Sequence, residues 1–96
     1  MATIRVAVGT VELHLPGVGS LKEKRHALKG LKEKVKNRFN VSIAEVDLND
    51  TWQRATLGIA CVSNDARHAD EQVAKAVNLI ESLLDGSIID YRVEVL

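Results

Sequence analysis

The chain has 96 residues, 13 Lys plus Arg against 13 Asp plus Glu, one Cys, one Pro and three aromatics, with a hydrophobic share of 46%. Such a length supports one domain, expected over residues 1–96, and buries very roughly 60–65% of the surface its extended form exposes. One cysteine excludes a disulfide framework and multi-Cys zinc patterns, no run approaches the ~18 apolar residues of a membrane span, and no signal peptide is evident, so the expected compartment is the cytoplasm.

From Thr3 to Leu15 apolar residues alternate, but the phase slips: Ile4, Val6 and Val8 are even, whereas Val11, Leu13 and Leu15 are odd. One inserted residue near Gly9-Thr10 would restore a single buried face, so a bulged strand is expected. Pro16-Gly17 ends it. Ser20-Leu21-Lys22-Glu23 fits a capping box, and Leu21, Leu28, Leu31, Val35 and Phe39 follow at helical spacing up to a stop at Asn40. Val41 to Leu48 reads as a second strand with a slip at Ala44-Glu45, Asn49-Asp50 as a turn, and Thr51 to Val62 as a third strand. In that strand Ala55, Leu57, Ile59 and Cys61 share one face. Asn64 or Asp65 can cap a second helix with the stripe Ala69, Val73, Ala76, Val77, Ile80, Leu83 and Leu84, and Gly86 suits its C′ position. Ile89, Tyr91, Val93 and Val95 alternate in a last strand.

The order is β-α-β-β-α-β. Two helical crossovers of right-handed sense and one tight hairpin give a four-stranded antiparallel sheet with two helices on one face, the ferredoxin-like α+β arrangement.

The zero net charge hides an asymmetry. Between Ser20 and Arg38 there are eight cations and two anions, a net +6, so the rest of the chain carries −6. At 100° per residue Lys22, Arg25, Lys29, Lys32 and Lys36 fall within roughly 80° of one another, with no acid inside that arc. Like charges one turn apart repel, so an acid-free stripe hints at an external polyanion such as a phosphate backbone. The competing reading is a solvated face neutralised from beside by Asp70, Glu71, Glu81 and Asp85 of the second helix.

The remaining constellations are weaker. Gly17, Gly19 and Ser20 could offer backbone N–H groups to an anion at the helix start, although neither a Walker A loop nor G-x-G-x-x-G is present. The two central strands, the first and third, carry no interior aromatic, which excludes base stacking of the RNA-recognition-module kind. Trp52 is expected to anchor the hairpin, and Glu45, Asp47 and Asp50 to pair with Arg54 or shape the turn. His14, His26 and His68 lack metal-ligand spacing, and Cys61 is expected in the core. No nucleophile–base–orienter set assembles, and neither a cofactor nor a metal is expected. Gly58, Ala60 and Val62 form an uncharged patch on the sheet's uncovered face, where a second copy could pack into a dimer.

Three strings resemble the YlxP-like family of small bacterial proteins of unassigned activity: Ser20-Leu21-Lys22-Glu23-Lys24-Arg25, Phe39 to Asp47, and Trp52 to Gly58. The likeness runs over nearly the whole chain. It implies the fold derived above and supplies no catalytic residues. The family's genes often lie among those for transcription-elongation, translation-initiation and ribosome-maturation factors. Together these features lead us to expect a non-enzymatic accessory protein contacting ribosomal RNA or a ribosomal subunit through the basic helix. The alternatives are a homo-oligomeric module using the open sheet face, or an acylphosphatase-like enzyme at the glycine loop, where Lys22-Glu23 stand in place of the expected Arg.

Overall fold

In a computed structural model that describes residues 2–96, the elements run β1 (Arg5–His14), α1 (Leu21–Arg38), β2 (Ser42–Asp47), β3 (Arg54–Ser63), α2 (Ala66–Leu83) and β4 (Ser87–Val95). The sheet order is β2-β3-β1-β4 and every pairing is antiparallel. Both helices cover one face: α2 packs on β1, β3 and β4, and α1 on β2 and α2. This is the ferredoxin-like α+β fold.

The core lies between the helices and the sheet. Ala7, Val11, Leu13, Ala55, Leu57, Ile59 and Cys61 meet Leu28, Leu31, Val35, Ala69, Val73, Ala76, Val77 and Ile80, all buried. Burial pushes the Cys61 thiol pKa up by desolvation. Leu28→Ala and Ile59→Ala are each expected to cost about 2–5 kcal/mol in chemical denaturation, because each leaves a cavity. The exposed Lys29 should tolerate alanine within about ±0.5 kcal/mol.

The structure corrects the reading of β1. No bulge occurs at Gly9-Thr10: β1 pairs with β3 without a break from Arg5↔Ser63 to His14↔Arg54. The inward residues are Ala7, Gly9, Val11 and Leu13, so Val6 and Val8 face away from the helices. The physical reason is α2. A Cβ on Gly9 would stand 2.7 Å from Val73 Cγ1, so the helix crosses where the strand has its smallest residue. Apolarity alone placed the wrong residues inside. Gly9→Ala is therefore expected to destabilise by about 1–3 kcal/mol, and Val73→Ala added to it should cost less than the two single changes summed. Strict additivity in a thermal-melt cycle would contradict this contact.

The irregularities lie on the edge strands instead. The β1–β4 register shifts between Glu12 and Leu13, where Asp90 and Ile88 are the partners and Ile89 is the extra residue. The β2–β3 register shifts between Glu45 and Asp47, leaving Val46 as the extra residue. Such edge bulges bend a strand and discourage pairing with other chains. β3 begins at Arg54 rather than Thr51, because residues 48–53 form a loop closed by Thr51 N–H donating to Leu48 O at 3.0 Å. Gly86 also has a different role from the expected C′ cap. The C-cap is Leu84, and a side chain at Gly86 would run into the His14 carbonyl.

Candidate nucleic-acid interface

Helix α1 begins as its sequence directs. Ser20 Oγ accepts from the Glu23 N–H at 3.1 Å, while Glu23 Oε2 accepts from the Gly19 N–H at 2.7 Å, one residue further back than a standard capping box. That carboxylate occupies the N–H which an anion would need, and Asp85 Oδ2 lies against Gly17. In the loop of Gly17, Gly19 and Ser20 the Gly19 N–H is thus already engaged by the protein's own carboxylate.

Lys22, Arg25, Lys29 and Lys36 are exposed on α1 and Lys32 is half-buried. Among the described residues no carboxylate lies within 4.0 Å of these five cations; the ion pairs are Lys24–Glu45, Arg54–Glu12 and Arg67–Glu71. Geometry accounts for this. A groove of about 370 Å³ separates α1 from the end of α2, and its α1 wall includes His26, Ala27, Gly30 and Lys34. The basic stripe lies on the other flank, away from α2 and its acids. Neutralisation from beside is therefore not what the helices arrange.

One cation of the segment is not on the surface at all. Lys24 is fully buried, and its ammonium donates to the carbonyls of Leu48 at 2.7 Å, Thr51 at 2.6 Å and Arg54 at 3.1 Å. Glu45 Oε2 stands 2.6 Å from the same nitrogen. That contact is ionic rather than an aligned hydrogen bond, and buried Oε2 has no hydrogen-bond donor of its own. Lys24 thus ties α1 to the β2–β3 loop, where Leu48 adopts a φ of 60°. The periodicity held the signal: Lys24 falls between half-buried Leu21 and the buried Leu28, Leu31 and Val35, at a place where the pattern wants an inward side chain.

The other acids follow from this. Glu45 serves Lys24 rather than Arg54, Arg54 reaches Glu12 at 3.8 Å, and Asp47 Oδ1 accepts from the Leu48 N–H at 2.8 Å. Trp52 does not anchor the hairpin, since 53% of it is exposed. Its neighbour Gln53 instead braces the β1–α1 loop, with Nε2 at 3.4 Å from Pro16 O and 3.3 Å from Val18 O. The central strands β1 and β3 have no Phe, Tyr or Trp, and the one imidazole, His14, stands at the end of β1. Among the described residues there is no group of three or more His, Cys, Asp or Glu able to hold a metal, and no helix is long and apolar enough to cross a membrane.

A plait of this order with one helix bearing a one-sided basic stripe is a small ferredoxin-like domain. Residues 6–93 match the model of the family described as "Protein of unknown function (DUF503)", and the chain belongs to that family. It is 45% identical over 64 residues to "Uncharacterized protein YlxP" of Bacillus subtilis (strain 168), covering 67% of this chain and 70% of that protein. Among solved structures it resembles the de novo designed protein Foldit4, with a TM-score of 0.58 at 15% identity over 97% of this chain and 96% of that one. It also resembles a C-terminal segment of the alpha subunit of aIF2 from Pyrococcus abyssi, with a TM-score of 0.56 at 14% identity over 100% of this chain and 51% of that one. At those identities both structures speak for the fold alone.

Proposed function

We propose that the protein is a non-enzymatic, cytoplasmic accessory factor that contacts RNA, in a ribosomal subunit, through α1. The observation that carries this reading is the stripe of Lys22, Arg25, Lys29, Lys32 and Lys36, free of carboxylate partners and turned away from α2. Side chains one helical turn apart sit ~5–6 Å apart at Cβ, a spacing that suits successive phosphates. With no Phe, Tyr or Trp on β1 or β3, recognition falls to phosphates and RNA shape rather than to splayed bases. The gene neighbourhood associated with the family points the same way.

The test compares wild type with Arg25→Glu/Lys29→Glu on ribosomal subunits and duplex RNA at low salt. Both positions are exposed, so the fold should survive and binding should be lost. Reversing Asp70 and Glu71 on α2 should leave binding intact or strengthen it. Equal binding by wild type and the α1 double variant would return the stripe to a solvated helix face.

A further inference from the structure

The face of the sheet opposite the helices is more apolar than a single strand suggests. The β1–β3 register brings Val6 beside Val62, Val8 beside Ala60 and Thr10 beside Gly58, all on the uncovered side. From β2, Ala44 lies beside Gly58, and Val46 approaches to 3.0 Å of where a Gly58 Cβ would be. Val62 is 61% exposed and Val46 58%. Among the described residues no charged side chain interrupts this area between the Val6–Val62 and Thr10–Gly58 pairs; Asp47, Glu12 and Arg54 close one end of it, while Arg92 and Glu94 flank it on β4.

We infer that this face is the interface with a second copy of the chain, related by a two-fold axis. Three features favour a copy over another partner. The first is relief: Gly58, Ala60 and Ala44 form a trough between valine ridges, a surface that can interdigitate with itself as stacked sheets do. The second is rim charge. Arg92 pairs with Thr10 and Glu94 with Val8. A two-fold axis lying across the strands between those rows sets Arg92 against Glu94 of the copy, Gly58 against its Ala60, and Val8 against its Thr10. The β4 edge is then electrically self-complementary, with Glu12 meeting the Val6 edge of the copy, whereas a strongly acidic or basic partner would meet charges of both signs. The third is size. Four strands about 4.8 Å apart, three of them 9 or 10 residues long and β2 of 6, present a flat projection of roughly 550 Å². Side-chain relief brings this near the ~800 Å² that each partner gives to a standard interface. Because the helices cover the opposite side of the sheet, the dimer displays two α1 stripes outward and leaves both free.

The mass of the full chain in solution, by sedimentation or light scattering over a range of concentrations, tests the inference. Wild type should reach twice 10.5 kDa. Val62→Glu, set against the acidic Glu12 and Asp47 row of the copy, and Val8→Lys, set beside its Arg92, should each raise the dimer dissociation constant at least about tenfold, through an unpaired charge in the contact. Val62 is exposed enough that its substitution should not unfold the chain, which circular dichroism will verify. Arg92→Glu alone should weaken the dimer, and Arg92→Glu/Glu94→Arg should restore it. A wild type that stays monomeric at the highest concentration overturns the inference. So does a dimer indifferent to Val62→Glu and Val8→Lys, because its interface would then lie elsewhere.

Discussion

Replacing Lys24 with methionine is expected to destabilise the fold by about 3–5 kcal/mol, well beyond any single change on the exposed flank of α1. The ammonium is fully buried and holds two carbonyls of the β2–β3 loop and that of Arg54 at the start of β3 together with the Glu45 carboxylate. Methionine fills similar volume, so the loss is electrostatic rather than steric. It leaves Glu45 Oε2 buried with no counter-charge, and Leu48 O, Thr51 O and Arg54 O without their side-chain donor. A second substitution separates these contributions. Lys24→Met/Glu45→Leu removes the orphaned charge and should recover much of the deficit. The unmet carbonyls should still cost about 1–3 kcal/mol each where they stay buried, less where the loop lets water in. Urea denaturation measures the totals, and hydrogen exchange over residues 48–54 shows where the loop loosens. A Lys24→Met protein as stable as wild type would mean that water, not the loop, solvates this ammonium.

Lys24 also shows what was legible in the sequence. Element order, both helix starts and the inward face of β3 could be read directly, because capping side chains and clean periodicity are local signals. Lys24 sits at an inward position of α1, yet its partners, from Glu45 to Arg54, lie 21 to 30 residues away, and lysine is almost never fully buried unless paired. Only the folded chain brings the loop carbonyls under it. β1 posed the opposite problem. Val6 and Val8 look like core and Gly9 like an interruption, but the approach of α2 through Val73 demands the small residue inside and turns the valines outward. Two apolar sides on one strand meant a covered face and an exposed one, not a bulge. The basic stripe was visible from spacing alone. Its isolation from the acids of α2 was not, since that depends on which flank of α1 borders the groove.

If all five stripe cations meet phosphates, affinity for RNA should fall steeply with salt. Each neutralised phosphate releases about 0.7–0.9 counterion, so the log-log slope should be about −3.5 to −4.5. Over a fourfold rise in salt that is a loss of about 130- to 500-fold. Each single change to alanine at Lys22, Arg25, Lys29, Lys32 or Lys36 should flatten the slope by about one unit and weaken binding to every RNA sequence alike. Lys32 is half-buried, so its effect should be the smallest of the five. Lys24→Met offers a sharp contrast. It removes a positive charge from the same helix, but a charge already held by Glu45 and three carbonyls. Whatever it costs in stability, folded Lys24→Met protein should keep the wild-type slope. A slope that flattened equally for Lys24 and Lys29 would show that binding follows total charge rather than this stripe. A slope near zero for wild type would show that no phosphate contact exists. The stripe's placement on the flank of α1 away from α2 leads us to expect neither.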